Sequence, residues 1–283
     1  MNEISIIKRS DGTYPPLLAR INDPPEQLYV RGNVELLSTR CFAAIGSRDV
    51  SDYGTRAIKT IVSPLTKHFT IVSGMALGAD SVAHCVALEA NAPTIAVLGS
   101  GVDDECIYPR SHISLAHRII SEGGCLVSEY PPGEQPRPYY FPARNRIIAG
   151  LSVGVLIAEA VKESGTMITA RLALDYNRDV FAVPGSIFSK LCAGTNELIQ
   201  QGAYMATSAT DILNFYGLSR GQQKLHLSPE QNHVYDIITK TSCSLNELLT
   251  LSNKNLPELM AIITELELIG AISRSNGKLS GGI

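Results

Sequence analysis

From Cys41 onward the chain repeats one unit: a short apolar run, then a stretch of helix length. The runs are 41–45 (CFAAI), 69–72 (FTIV), 94–98 (TIAVL), 125–128 (CLVS), 153–158 (VGVLIA) and 180–183 (VFAV). Each is continuous rather than alternating, the pattern of a strand covered on both faces. Between the runs, apolar residues recur at helical spacing, as in Ala57, Ile58, Ile61, Val62 and Leu65. Strands alternating with helices assemble as right-handed βαβ units. The chain is therefore predicted to be an α/β protein with a doubly wound, mostly parallel sheet.

The repeat has limits. Residues 1–40 read as an irregular lead-in packed on that sheet domain, with Y-P-P (14–16), D-P-P (23–25) and a short strand at Leu28-Tyr29-Val30. The repeating domain spans 41–216. A polar, glycine-bearing linker is read at 217–227. A second unit, 228–283, opens with Ser228-Pro229-Glu230, a capped helix start. Helices are expected near 229–240, 244–251 and 256–268. A hairpin follows with Asn276-Gly277 at its turn. Three short helices and a hairpin make a small winged-helix domain.

The 283 residues carry a formal net charge of −3, so no global basic field attracts a polyanion. The repeating domain alone has 13 basic and 16 acidic residues. The six cysteines are scattered without a C-x-x-C pair, so neither a disulfide framework nor a metal site is expected. No signal peptide and no run of about 20 apolar residues is present, so a cytoplasmic protein without membrane contact is expected.

Ligands of an open parallel sheet bind beyond the carboxyl ends of its strands. Glycine-bearing turns recur there: Gly46-Ser47-Arg48, Ser73-Gly74, Gly99-Ser100-Gly101, Ser164-Gly165-Thr166 and Pro184-Gly185-Ser186. Glycine lets backbone N–H groups approach a ligand, and helix N-termini favour anions. F-P-A-R-N-R (141–146) adds two arginines, Arg144 and Arg146, around Asn145. Arginine suits phosphate, and Phe141 offers a stacking face for a base. A groove for a polyanion is the expectation.

The order G-S-R (46–48), S-G-M-A-x-G-A-D-x-x-A-H (73–84), T-I-A-V-L-G-S-G (94–101), Y-P-R (108–110), F-P-A-R-N-R-I-I-A-G (141–150), E-A-x-x-x-S-G-T (159–166), F-A-V-P-G (181–185) and G-T-N-x-L-I-x-x-G-A (194–203) closely resembles the DprA or Smf family of DNA-processing proteins of natural transformation. The resemblance covers roughly residues 25–215. It implies an extended Rossmann-like fold, single-stranded DNA binding, homodimerisation and loading of the RecA recombinase; no enzymatic activity and no cofactor are expected. It marks Arg48, Arg110 and Phe141 as DNA contacts. The rest of the groove is expected to contact DNA with them: Gly46, Ser47, the turn Ser73, Gly74, Met75 and Ala76, then Arg144, Asn145 and Arg146, and Ser164, Gly165 and Thr166. Relatives commonly carry a lysine where Pro138 stands; Arg137 beside it is the substitute. Leu198, Ile199 and Met205 are the expected dimer contacts.

Competing readings stand beside these. Arg144 and Arg146 either touch phosphate or brace the sheet edge through carboxylates such as Glu129 and Glu159. Phe141 is either a stacking ring or a core aromatic. Asp80 and His84, four apart, are expected to bond each other at a helix start. The rival function is a nucleotide hydrolase of the lysine-decarboxylase-like phosphoribohydrolase type, whose general-base Glu is replaced here by Thr169. A sensor of a small nucleotide fits the same turns. The tail carries net −2, so it is expected to contact protein rather than read duplex DNA.

Overall fold

A computed structural model describes residues 3–218, 227–240, 243–252, 254–269, 271–275 and 278–281. Two compact units emerge, Met1–Tyr216 and Gly217–Ile283. The first is built on a nine-stranded sheet. Its strands are β1 (Ile4–Lys8), β2 (Gln27–Gly32), β3 (Cys41–Ile45), β4 (Thr70–Ser73), β5 (Thr94–Val97), β6 (Cys125–Ser128), β7 (Ser152–Ile157), β8 (Asp179–Ala182) and β9 (Tyr204–Met205). Their order is β1-β2-β6-β5-β4-β3-β7-β8-β9. All neighbours run parallel except β1 with β2 and β2 with β6.

Seven helices cover this sheet: α1 (Asp52–Leu65), α2 (Ala79–Glu89), α3 (Ile113–Ser121), α4 (Tyr140–Leu151), α5 (Gly165–Asp175), α6 (Ala193–Gln200) and α7 (Ala209–Phe215). The strands β3, β5 and β6 are buried along their whole length, as continuous apolar runs require. Successive residues feed opposite cores: Ile95 and Val97 pack on one face, Ala96 and Leu98 on the other. Phe42 sits among Phe69, Phe181 and Tyr216, with ring centroids 5.3, 5.9 and 6.3 Å away. Truncating such a fully buried ring to Ala costs about 3–5 kcal/mol.

The segment 1–40 is not simply irregular. It supplies two strands, and β2 hydrogen-bonds β6 antiparallel, with Tyr29 opposite Ser128. β1 extends that edge. The six apolar runs all become strands, with ends shifted by a residue at most.

The second unit has α8 (Pro229–Lys240), α9 (Leu245–Ser252) and α10 (Leu256–Leu268) with a three-stranded antiparallel sheet of β10 (Cys243–Ser244), β11 (Ile272–Ser275) and β12 (Lys278–Gly281), in the order β10-β12-β11. The Ser228 hydroxyl accepts from the Gln231 backbone N–H at 3.2 Å, and Ser228 N donates to Gln231 Oε1 at 2.8 Å. That reciprocal cap starts α8. Val234, Ile238, Leu248, Leu259, Ile263 and Leu266 form its core. The Asn276-Gly277 turn and linker residues 219–226 lie outside the described residues. Among those described, no helix is long and apolar enough to cross a membrane, and no cluster of His, Cys, Asp or Glu could hold a metal ion.

Candidate nucleic-acid interface

The strand order reverses direction between β3 and β7, which lie side by side although β4 and β8 follow them on opposite sides. That reversal opens a crevice beyond their carboxyl ends. A cleft of about 340 Å³ occupies it. One wall is the β3–α1 loop, Gly46 to Asp49, and another is the first turn of α5. The third wall is α4, through Phe141, Arg144, Asn145 and Ile148. These four are spaced i, i+3, i+4 and i+7, one face of a helix.

The β3–α1 loop is fixed by backbone bonds. Ser47 N donates to the Glu159 carbonyl at 2.8 Å, and Ala79 N donates to the Ser47 carbonyl at 3.0 Å. Gly78 adopts φ 76°, and a Cβ there would strike the Ser47 and Arg48 carbonyls, so only glycine lets α2 approach this closely. The carboxylate of Glu159, 1% exposed, accepts from Ser51 N at 2.8 Å and Ser51 Oγ at 2.5 Å, tying the start of α1 to the end of β7.

The N-terminus of α5 faces the cleft. Thr166 Oγ1 donates to the Gly46 carbonyl at 3.0 Å and holds the two walls together. Asn145 Nδ2 reaches the Gly165 carbonyl at 3.4 Å. Ser164 Oγ is buried without a partner. A Cβ on Gly165 would meet nothing within 4 Å, so the helix start is open to a ligand. The first N–H groups of a helix lack intrahelical partners and suit an anion.

A smaller recess of about 60 Å³ adjoins the cleft, lined by Leu77, Leu98, Gly99, Tyr108 and Pro109, with Met75, Ala76 and the shared walls Arg48, Phe141 and Arg144. The Arg48 guanidinium stands 5.9 Å from the centroid of the Phe141 ring, and Phe141 lies 5.5 Å from Tyr108 at an interplanar angle of 45°. Arg48 and Tyr108 are exposed and Phe141 is half-buried. A free cation beside a partly open ring pair suits phosphate and an unstacked base together.

Behind these groups lies a buried polar layer. Arg144 donates to the Val97 carbonyl, and its Nε has no partner. Burial pushes the Asp80 carboxyl up from its ordinary pKa, opposed by the charge of Arg144. His84 bonds Thr94 Oγ1 at 2.9 Å and the Gly74 carbonyl at 2.6 Å, so the expected Asp80–His84 bond is replaced by a link between strands. Burial lowers the His84 pKa to about 4, so the ring is neutral.

This geometry accords with what the chain resembles. The family model described as DNA recombination-mediator protein A matches residues 5–217, and that of the DprA winged helix domain matches 219–278. The chain belongs to the DNA recombination-mediator protein A family. It is 44% identical over 203 residues to the DNA processing protein DprA of Streptococcus pneumoniae, covering 72% of this chain and 71% of that one. It is 39% identical over 277 residues to the Protein Smf of Escherichia coli, covering 93% and 74%. Among solved structures, the S. pneumoniae DprA superposes with TM-score 0.71 at 42% identity, over 75% of this chain and 74% of that one. The DNA processing protein A of Helicobacter pylori, solved for its single-stranded DNA binding mode, superposes with TM-score 0.66 at 32% identity, over 76% and 98%.

Several expected DprA-family contacts lie elsewhere. Ser73 is fully buried and donates its hydroxyl to the Ala44 carbonyl at 2.6 Å. Gly74 leaves room for the Arg144 guanidinium and Asp80, rather than for a ligand. Arg146 does not line the cleft. It is two residues past Arg144, hence on another face of α4, where it pairs with Glu129 at 2.5 Å and Asp23 at 3.5 Å. Arg110 is exposed but donates to the Asp104 carbonyl at 2.7 Å, while Tyr108 of the same motif lines the recess. Arg137 is exposed, 3.2 Å from Glu134 and over the Tyr140 ring. Leu198 is core rather than interface; Ile199 is half-buried and Met205 exposed. Sequence reasoning missed Asp49, Leu77, Tyr108, Ile148 and Val161. The helical spacing from Phe141 was the available signal for Ile148.

Proposed function

We propose that this chain binds single-stranded DNA in the switch-point cleft. The observation that carries the reading is the Arg48–Phe141 pair, 5.9 Å apart, both lining a cleft that has the N-terminus of α5 as another wall. The cation takes a phosphate, the ring takes an unpaired base, and the N–H groups of α5 take a second phosphate. Such contacts carry no base information, so little sequence preference follows. The hydrolase reading lacks its general base: Thr169 is 2% exposed, and its hydroxyl donates to the Gly165 carbonyl at 3.3 Å. An electrophoretic shift with single-stranded and duplex DNA of one sequence tests the reading. Single-strand preference is expected; equal affinity for duplex refutes it.

Family membership supports a cytoplasmic homodimer that protects incoming single strands in transformation and hands them to RecA. Exposed Met205 on edge strand β9, together with half-buried Ile199 of α6, is the surface we assign to the second copy. The tail's acidic α10, with Glu258, Glu265 and Glu267, is assigned to protein contact.

A further inference from the structure

The cleft carries its own anion. Of the residues that line it, Arg48 and Arg144 are cationic, and Asp49 and Asp80 are anionic. Arg48 and Asp49 are exposed, so water and salt screen them. Asp80 and Arg144 are 7% and 5% exposed, so their charges act through a medium of far lower permittivity. They come from different elements, Asp80 from the first turn of α2 and Arg144 from α4. An added Cβ on Gly74 would strike both the Arg144 guanidinium and the Asp80 carboxylate, so the glycine after β4 is what lets the two ends meet there.

The surroundings of Asp80 favour a carboxylate more than they need one. Ala76 N donates to Asp80 Oδ2 at 3.4 Å, a long bond that an Asn side chain would accept equally. Arg144, Arg48 and that N–H all favour the charged form against burial. His84, one turn along α2, is neutral and engaged by Thr94 and the Gly74 carbonyl. Arg144 keeps unused capacity: it donates to the Val97 carbonyl, and its buried Nε has no partner. Without Asp80 the guanidinium would be a buried charge lacking a counter-ion, a costly state that a ligand anion relieves. With the pair balanced, the attraction left for a ligand comes from exposed Arg48 and from the α5 N-terminus, about half a unit charge. That suits the single charge of a phosphodiester. A phosphate monoester brings about 1.5 to 2 charges and meets Asp80 with the excess.

We propose that Asp80 sets the charge the cleft accepts: acting through Arg144 as a built-in counter-anion, it admits the phosphodiesters of a strand and rejects the dianionic phosphate of a free nucleotide. The inference rests on the single-stranded DNA reading of the cleft.

Asp80→Asn keeps the shape and removes the charge. Repulsion between unit charges about 10 Å apart, at an effective permittivity of about 20, amounts to about 15-fold in affinity. The full-length Asp80→Asn chain is therefore expected to bind a labelled oligothymidine about 15-fold more tightly than wild type. At about pH 8, where a monoester is a dianion, dTMP as a competitor is expected to gain about 200-fold, since the repulsion doubles with the charge. Damage to the fold lowers affinity, so a gain separates the charge from a merely structural role. In the wild type, thymidine 5′-methyl phosphate, a singly charged diester of the same nucleoside, is expected to compete better than dTMP. That comparison decides the matter if circular dichroism shows Asp80→Asn unfolded. Unchanged or weaker oligothymidine binding by the folded variant overturns the proposal while the cleft reading stands. So does dTMP competing as well as the methyl ester in the wild type. If the wild type does not bind the oligothymidine, the cleft reading falls and this one with it.

Discussion

Arg48→Ala isolates the cleft's free cation. Arg48 is exposed, and its loop is held by the backbone bonds of Ser47 and Ala79, so the fold does not depend on the side chain. Surface substitutions of this kind shift stability by about 0.5 kcal/mol or less. A hydrogen bond to a charged group contributes about 1.5–3 kcal/mol. Its loss is a fall in affinity of about 10- to 150-fold. Each single-strand phosphate contact adds about −0.7 to the slope of log affinity against log salt. With about two to four contacts the wild-type slope is about −1.4 to −2.8, and Arg48→Ala reduces its size by about 0.7. Anisotropy of a labelled oligothymidine from about 50 to 200 mM salt measures both quantities. Arg48→Lys keeps the slope while losing the planar fork over Phe141. A fall in affinity with the slope unchanged refutes phosphate contact and leaves Arg48 only as a support for the ring.

Further expectations follow from the same geometry. Glu159→Ala removes the acceptor of Ser51 N and Oγ, costing about 2–3 kcal/mol in a urea melt; an unchanged midpoint would mean α1 is not anchored there. Burial holds the His84 pKa at about 4, below the unfolded 6.5, so its contribution is complete above pH 6.5 and is lost as pH falls toward 4. The loss is about 3 kcal/mol, read as the difference between wild type and His84→Gln, because the raised pKa of Asp80 acts with opposite sign. Gly165→Leu places a side chain in open space, so the protein folds, but single-strand affinity falls about tenfold as the α5 N-terminus is covered; full affinity would remove α5 from the site. Ile199→Glu is expected to give a folded monomer by light scattering, and a persisting dimer would move the interface elsewhere.

The parallel sheet was legible because burial on both faces leaves a continuous apolar run, and the switch-point loops because glycine marks strand ends. β1 was not: of Ile4–Lys8 only Ile7 is buried, so no two-residue period shows. The site residues divide by the same physics. Arg48 and Phe141 were legible from residue type and place. The burial of Arg144 was not, since it depends on Val97 at the end of strand β5. Ser73 is likewise claimed by the Ala44 carbonyl across the sheet. Of the two readings offered for Arg146, the structure has the brace through Glu129, because the helical phase of α4 turns it away from Arg144.

The pairing of β3 with β7 has a kinetic consequence. Cys41 meets Ser152, whereas β3 to β6 join through nearer neighbours in the chain. Contacts of large sequence separation close late, because loop entropy must be met first. During synthesis, which proceeds from the N-terminus, the β3–β6 half precedes β7 and α5. The walls contributed by Phe141, Gly165 and Thr166 then meet Gly46 only when the second half docks. A nascent or truncated chain ending before α5 lacks the wall of Gly165 and Thr166, so the cleft is completed only once that helix has been made.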